Sequence, residues 1–141
     1  MSDRLRDRAI LITAFWLCGA LLIPHASAQG VLTGPVPHVV HFDPTSMESR
    51  DLFTGAPQTV SLESGYVALA PSDSVGTHST KSFEEILLVI KGRGEMRIAG
   101  GTTLLLLQNC LAYCPPFTAH NVVNTGSDTL RYIWLAARGV R

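Results

Sequence analysis

Side chains that can bind metals or move protons lie close together in the segment GTHSTKSFEE, residues 76–85. His78 and Thr80 are two positions apart, and side chains two apart on an extended strand point to the same side. Glu85 opens the apolar run that follows, where a carboxylate is costly unless something satisfies it. Further along, His120 comes shortly after a double proline, which stiffens the chain ahead of it. A histidine, a hydroxyl and an acid at this spacing could line one wall of a metal pocket.

The segments around these residues have the pattern of β-strands. From Val36 onward, short apolar runs are broken by Gly, Pro, Asn and Asp, which is typical of all-β sandwiches and barrels. Val39-Val40 lies in a first candidate strand, and residues 85–91, EILLVIK, form a near-continuous apolar run that indicates a strand buried on both faces. Gly100-Gly101 stands between two apolar runs and can take the positive φ angles of a tight hairpin turn. We expect about eight strands and no helix, so the sheet must close on itself or stack on another.

Residues 1–28 have the three parts of an export signal. Three arginines lie in residues 1–8, residues 9–23 carry no charge, and residues 26–28 read Ala-Ser-Ala, a small-x-small cleavage site. A membrane-spanning helix needs roughly 20 apolar residues, so this run fits a cleaved signal peptide better than the alternative, an uncleaved anchor. No Arg-Arg pair marks export in the folded state. We therefore expect Sec-type export, cleavage after Ala28 and a periplasmic or secreted protein with no stable membrane insertion.

The charge balance argues against strongly charged partners. The full chain has 11 Lys or Arg and 11 Asp or Glu, and residues 29–141 have a net charge near minus one. Neither a nucleic-acid-binding surface nor a surface for acidic membranes is expected from such a balance. Residues 29–141 also have the length of one domain.

Two cysteines, Cys110 and Cys114, follow the signal segment. If they share a strand, their Cα atoms are roughly 13 Å apart at about 3.3 Å per residue, whereas a disulfide tolerates no more than about 7 Å. They should therefore not pair with each other. Either both are buried thiols that act as small hydrophobic groups, or Cys114 lies near the pocket as a soft ligand or a redox-sensitive group.

The segment around His78 resembles the first motif of the cupin superfamily. That motif is usually Gly, five residues, His-x-His, three or four residues, Glu, six residues and Gly. Here His78-x-Thr80 is followed by four residues, Glu85, six residues and Gly92. Ser72 stands where the family often has the leading glycine, and Thr80 replaces the second histidine.

The second cupin motif is resembled in the right order and at the right spacing. It is usually Gly, five residues, Pro-x-Gly, two residues, His, three residues and Asn. The sequence here has Asn109, five residues, Pro115-x-Phe117, two residues, His120, three residues and Asn124. Asn109 is a tolerable replacement for glycine because Asn also visits the left-handed region. Phe117 replaces the turn glycine, so that turn must be built differently or be strained.

The resemblance covers residues 67–137 and implies a small single-domain member similar to the cupin type 2 conserved barrels. The fold it implies is all-β, an RmlC-like jelly-roll β-barrel over residues 29–141. A small and mostly apolar cavity is expected inside it. About half of a set of apolar residues should point inward: Phe83, Leu88, Ile90, Leu105, Phe117, Val122, Tyr132 and Trp134.

The resemblance also implies a metal site. Metal-binding cupins usually supply three histidines and one glutamate, of which His78, Glu85 and His120 are present here. Two imidazoles and one carboxylate are the ligand set of the facial triad in non-haem iron enzymes, and they also suit Mn, Ni, Zn or Cu. Thr80 then has two readings: its hydroxyl hydrogen-bonds a metal-bound water or substrate as part of the catalytic site, or it is a strand residue that marks a decayed site.

Other candidate ligands are less favoured. The family's six-residue spacing to Gly92 selects Glu85 over Glu84, which then faces the other way. His38 and His41 are three apart, on opposite faces of a strand, and are expected at the surface or rim; the alternative is that one of them lines the pocket.

Two functions remain open from the sequence. In the first, an exported cupin binds a divalent transition metal and acts on a small organic molecule as a dioxygenase, isomerase or lyase, with Glu85 as a further acid or base. In the second, a non-enzymatic binding module holds a small ligand or a metal in a degenerate site. Small cupins commonly form homodimers through edge strands, so a homodimer is expected in either case.

Overall fold

The computed structural model describes residues 34–138, and this part of the chain forms nine strands. Among the described residues no helix is long and apolar enough to cross a membrane. The predicted signal peptide and its cleavage after Ala28 lie outside the described residues. The strands are β1 (Arg50–Thr54), β2 (Glu63–Leu69), β3 (His78–Ser79), β4 (Phe83–Lys91), β5 (Arg93–Ile98), β6 (Thr103–Leu107), β7 (Leu111–Cys114), β8 (Ala119–Val123) and β9 (Leu130–Arg138).

The strands are arranged in two antiparallel sheets. The five-stranded sheet has the order β1-β2-β9-β4-β7, and the four-stranded sheet has the order β3-β8-β5-β6. Most neighbours are distant in sequence because the chain crosses repeatedly from one sheet to the other, as in a jelly roll. The apolar core includes Leu87, Val89, Met96, Leu106 and Leu130. The predicted all-β jelly roll is confirmed.

Strand β4 is buried on one face only, so the prediction of burial on both faces was wrong. Leu87 and Val89 are 1% and 0% exposed, whereas Ile86 and Leu88 between them are 41% and 38% exposed. The run of aliphatic residues hides this alternation in the sequence, because polarity does not change from one face to the other. The outer face of β4 is apolar without being covered by any described residue.

The predicted first strand at Val39-Val40 is absent. Residues 35–43 form no strand, because Pro35 and Pro37 lack the N–H groups that a sheet ladder needs. Phe42, near the end of this segment, instead covers part of the outer face of β2, where its ring packs against that of Tyr66 with centroids 5.5 Å apart. The Tyr66 hydroxyl lies 3.0 and 2.9 Å from the carbonyl oxygens of Pro44 and Ser46.

The turns follow the sequence prediction closely. Gly100 and Gly101, with φ of 95° and 103°, connect β5 to β6 as expected for a hairpin. Asn109 takes φ of 65°, the left-handed conformation for which Asn is a tolerable substitute. Phe117 takes φ of 58°, which is uncommon for an aromatic residue, so the turn before His120 is strained.

The set of eight apolar residues expected to supply the inward face divides about equally. Val122 and Tyr132 are buried, and half-buried Phe83 and Trp134 line a cavity between the sheets. Ile90 is half-buried as well. The exposed members are Leu88, Leu105 and Phe117.

Asn124, the last residue of the second motif, joins three segments of the chain. Its buried side chain donates hydrogen bonds from Nδ2 to the carbonyl oxygens of Leu69 (2.9 Å) and Asp128 (2.8 Å). Its Oδ1 accepts a hydrogen bond from the N–H of Gly126 at 2.9 Å. The end of β2 and the β8–β9 turn are therefore held together by one amide group.

We predict that Asn124→Ala lowers the free energy of unfolding by about 2–3 kcal/mol, because it leaves buried carbonyl groups without donors. Urea denaturation of the variant and the parent measures this difference. Asn121→Ala is the matched control: Asn121 is half-buried on β8 and its side chain makes no hydrogen bond within residues 34–138. A smaller loss for Asn124→Ala than for Asn121→Ala would contradict the assigned role.

Candidate metal centre

Three strands from both sheets bring the predicted ligands together. His78 on β3 and His120 on β8 are direct partners in the four-stranded sheet, and their rings lie 4.3 Å apart between centroids. Glu85 projects from β4 of the five-stranded sheet. One ligand atom from each of the three residues lies within 4.8 Å of the others. These residues border a cavity of about 530 Å³.

The backbone determines which ring nitrogens are available as ligands. His78 Nδ1 lies 3.0 Å from the carbonyl oxygen of Gly76, and His120 Nδ1 lies 3.5 Å from that of Thr118. A ring that donates its Nδ1–H to a carbonyl keeps a lone pair on Nε2. Histidines that bind metals commonly have their other nitrogen held in this way.

His120 Nε2 and Glu85 Oε2 face each other at 3.2 Å. The His120 ring is fully buried, and no residue among 34–138 completes a well-directed hydrogen bond to Nε2. With the ring proton on Nδ1, both facing atoms are acceptors, and two acceptors so close need a proton or a cation between them. The three residues therefore fit a divalent cation, for which neutral imidazole and carboxylate are suitable ligands.

The same geometry raises the pKa of His120 above its usual value of 6.5. The first cause is that Glu85 can accept a hydrogen bond from the protonated ring, and the negative charge of Glu85 adds to it. Burial acts in the opposite direction, because it disfavours the charged imidazolium. A proton and a metal ion thus compete for one position.

Thr80 borders the cavity, but its hydroxyl is bound to the backbone. Oγ1 donates to the carbonyl oxygen of Pro115 at 2.8 Å and accepts from the N–H of Thr118 at 3.0 Å. Since its hydrogen is used there, Thr80 can meet a ligand only as an acceptor. Its hydroxyl fixes the strained turn that leads to His120, a role that the sequence motif does not reveal.

The other candidate ligands lie apart from the three residues. Glu84 is exposed and accepts a hydrogen bond from the Tyr113 hydroxyl at 3.2 Å. His38 and His41 are both exposed, and His38 packs edge-on against Phe53. None of these acids and imidazoles belongs to the cavity lining.

Both described cysteines are free thiols, as expected. Cys114 is buried with Sγ 3.5 Å from His120 Nδ1, so it lies near the site but on the side of the ring away from Nε2. Burial, followed by the charge of Glu85, raises the pKa of Cys114 to about 11. The thiol is therefore protonated at neutral pH and packs as a small apolar group, whereas a metal ligand would need the thiolate.

Tyr132 is a polar residue of the cavity that sequence reasoning placed only among apolar residues. Its side chain lines the cavity, and its hydroxyl makes no hydrogen bond within the described part of the chain. Burial first, and then the charge of Glu85, raise the pKa of Tyr132 above its ordinary value. Its hydroxyl is thus a neutral donor available to a bound molecule.

We predict that Glu85→Gln lowers the pKa of His120 in the metal-free protein, because the carboxylate that favours imidazolium is lost while burial remains. An NMR titration of the His120 ring after treatment with a chelator measures the shift. Glu84→Gln, at the exposed neighbour, should leave the pKa unchanged.

The raised pKa also sets the sign of a pH effect on the metal-free fold. Because the folded-state pKa is the higher one, this contribution to stability is fully present below about pH 6.5 and is lost as the pH rises through the pKa of His120. An unchanged His120 pKa in Glu85→Gln would contradict the role given to Glu85.

Solved structures with a similar fold come from diverse organisms. An RmlC-like cupin family protein from Methanocaldococcus jannaschii has a TM-score of 0.63 and 17% identity, covering 74% of this chain and 94% of its own. A protein from Bacillus halodurans has a TM-score of 0.62 and 21% identity, covering 77% and 86%. The Cnp3 cupin domain of Schizosaccharomyces pombe has a TM-score of 0.58 and 18% identity, and the match spans 64% of each chain. At these identities the likeness shows the fold alone.

No curated protein sequence matches the chain. The family model of the cupin domain, in contrast, matches residues 65–136, which is just over half of the 141 residues. The matched region contains both motifs and the three residues of the candidate metal centre, His78, Glu85 and His120. The chain therefore belongs to the cupin family.

Proposed function

We propose that this cupin binds one divalent transition metal through His78, Glu85 and His120 and acts on a small organic molecule in the adjacent cavity. The observation that carries the proposal is the buried His120 Nε2, which has no hydrogen-bond partner among the described residues and faces Oε2 of the largely buried Glu85 at 3.2 Å. The exposed ring of His78 supplies the third ligand atom from the side of the cavity opening.

The ligand set suits Fe, Mn, Ni, Zn or Cu, and it does not select among them. When bound, such an ion supplies a Lewis acid or, for a redox-active metal, a centre for dioxygen activation. Three protein ligands leave further positions for water or a substrate.

The cavity walls favour a small organic substrate with both apolar and polar parts, because the charged residues Glu63 and Lys81 also line the cavity. Val67, Phe83, Val122 and Trp134 supply apolar surface from four strands, and the volume of about 530 Å³ is in the range of small-molecule sites. Tyr132 offers a neutral hydroxyl to orient a polar group of the substrate.

The reaction we propose is of the dioxygenase, isomerase or lyase type. Glu85, beside both the ligand position and the cavity, is placed to hold a proton when it is not bound tightly to the metal. The choice among these reactions rests on family analogy, since function depends on the site and one fold supports many reactions.

A binding module is the second candidate. It is favoured by Thr80, whose hydroxyl is bound to the backbone at the position where metal-binding cupins usually have another histidine. Three ligands without a fourth can hold an ion or an ion-linked ligand without catalysis. Turnover of small organic molecules by the metal-loaded protein separates the two candidates.

We further propose that the protein is exported by its N-terminal segment to the periplasm or outside the cell, and that it works there as a homodimer. The support for export is the pattern of residues 1–28. Analysis of the N-terminus of the protein recovered from cells tests this, with Gln29 as the expected first residue.

We predict that Glu85→Ala and His120→Ala each lower metal affinity at least about 100-fold, because each removes one of three ligands. Elemental analysis after equilibration with each candidate metal measures the bound ion per chain. Glu84→Ala is the control and should bind as the parent does. If both ligand variants retained the parent's metal content, the proposed function would fail.

We predict that Thr80→Val lowers the free energy of unfolding by about 1–3 kcal/mol and leaves the metal content per chain unchanged. Stability is lost because the Pro115 carbonyl and the Thr118 N–H both lose their hydrogen bond to the Thr80 hydroxyl. Thr80→Ser keeps the hydroxyl and should be closer to the parent in urea denaturation. Loss of the metal in Thr80→Val, with the fold intact, would instead assign Thr80 to the metal site.

A further inference from the structure

The outer face of the five-stranded sheet carries a regular block of apolar side chains. Strand pairing aligns Tyr113, Ile86 and Leu135 in one row across β7, β4 and β9. It aligns Leu111, Leu88 and Ile133 in the next row. Cross-strand partners point to the same face of a sheet, so these six residues form one surface, here called the outer grid.

Four of the six outer-grid residues are exposed, and the other two, Ile133 and Leu135 on β9, are half-buried. Leu111 is 70% exposed and Tyr113 is 52% exposed, and Ile86 and Leu88 are each exposed by more than a third. The next strand of the same sheet, β2, differs: its outward Tyr66 is buried under Phe42 and the following residues. The described residues thus bury the outward tyrosine of β2 and leave the outward side chains of β7 and the middle of β4 exposed.

The exposed area has the size of an interface core. The grid presents on the order of 400 Å² of apolar surface if a large side chain presents about 150–200 Å² when fully exposed. A stable interface buries about 800 Å² per partner, of which somewhat more than half is apolar, with a polar rim. The grid together with the charged residues around it matches that size.

The charges at the two ends of the grid are opposite. Glu84 lies two residues before Ile86 on β4 and therefore shares the outer face at one end of the grid. Lys91 and Arg131 are paired across β4 and β9 at the other end, and therefore share the outer face. Glu84 and Lys91 are seven residues apart, or roughly 23 Å along an extended strand.

Two copies packed face to face are related by a two-fold axis that lies in the interface plane. If the axis runs along the strands, Glu84 of one copy meets Glu84 of the other. If the axis runs across the strands, the acidic end of each grid meets the basic end of its partner. Of these two arrangements, only the second is complementary in charge.

The sheet edges next to the grid are less suited to pairing. Strand β7, the edge beside the grid, has four residues, and β6, the edge of the other sheet that contacts β7, has five. Short edge strands offer few backbone groups to another chain. A face-to-face contact is therefore favoured over the edge-strand contact expected from the sequence.

We propose that the outer grid is the homodimer interface, formed by a second copy of this chain packed face to face with its strands antiparallel to the first. This proposal gives a surface to the homodimer stated under the proposed function. It is independent of the metal site, because the grid and His120 lie on opposite sides of the five-stranded sheet.

The proposal is tested by the oligomeric state of the protein expressed from residues 1–141. Mass spectrometry of the purified protein identifies the N-terminal residue of the chain that is measured. Light scattering after gel filtration should give a dimer for the parent. Leu111→Glu should give a monomer, or a dissociation constant raised at least tenfold, because the carboxylate would be buried against an apolar partner. Leu105→Glu is the matched control, since Leu105 is 59% exposed on the outer face of the other sheet, and it should remain a dimer.

Circular dichroism of each variant verifies that it is folded, and Tyr113→Glu replaces Leu111→Glu if that chain does not fold. A parent protein that is monomeric at micromolar concentration would overturn the proposal. The grid would then have another cover, such as residues 1–33 or a different protein. Dissociation by Leu105→Glu in place of Leu111→Glu would overturn it as well. Metal content is measured on the same samples, so loss of the dimer and loss of the metal site are distinguished.

Exchange of the end charges tests the orientation. Glu84→Lys alone and Lys91→Glu alone should each weaken the dimer, because each places like charges across the interface. The double variant should recover the parent's dissociation constant. Equal dissociation constants for the parent and both single variants would overturn the antiparallel arrangement.

Discussion

The site depends on one contact across the inside of the barrel, between His120 Nε2 on one sheet and Glu85 Oε2 on the other at 3.2 Å. Neither atom has a better partner among the described residues, and each is held by a strand whose position is fixed by the core. Glu85 raises the pKa of His120 because its carboxylate accepts a hydrogen bond from the protonated ring, and the proposed divalent cation would compete with that proton at higher pH. The barrel therefore brings together two groups that would repel each other through their lone pairs, and a cation relieves that cost.

The second requirement is that the segments next to the two histidines keep a fixed position relative to each other. The β3–β4 connection and the turn before β8 are joined by the Thr80 hydroxyl, by the Thr80 N–H to the Thr118 carbonyl (3.1 Å) and by the Phe117 N–H to the Lys81 carbonyl (2.6 Å). Each such bond contributes about 0.5–1.5 kcal/mol, and together they offset the roughly 1–3 kcal/mol of a left-handed Phe117. Thr80 thus supports the site through the backbone, even though it offers no imidazole.

The sequence alone was sufficient for the fold class, the two motifs, the glycine hairpin and the choice of Glu85 over Glu84 as the acid near the histidines. These depend on spacing, which the chain shows directly. It was not sufficient for Thr80 or Tyr132, because the hydrogen bonds of Thr80 join residues 35 and 38 positions away, and the position of Tyr132 in the cavity wall depends on three-dimensional packing. The strand predicted at Val39-Val40 was wrong because the prediction followed the apolar residues. Pro35 and Pro37, which disfavour a strand, were the contrary evidence in the sequence.

Strand β4 is where the two parts of the molecule meet. Its inward residues, Glu85, Leu87 and Val89, supply the acid and the core, and its outward residues supply the centre of the outer grid. A strand with aliphatic residues on both sides would ordinarily have both sides covered. In the single chain only one side is covered, so the aliphatic character of the other side has no use within the described fold. A second copy on the outer face would give that sequence the double burial its composition indicates.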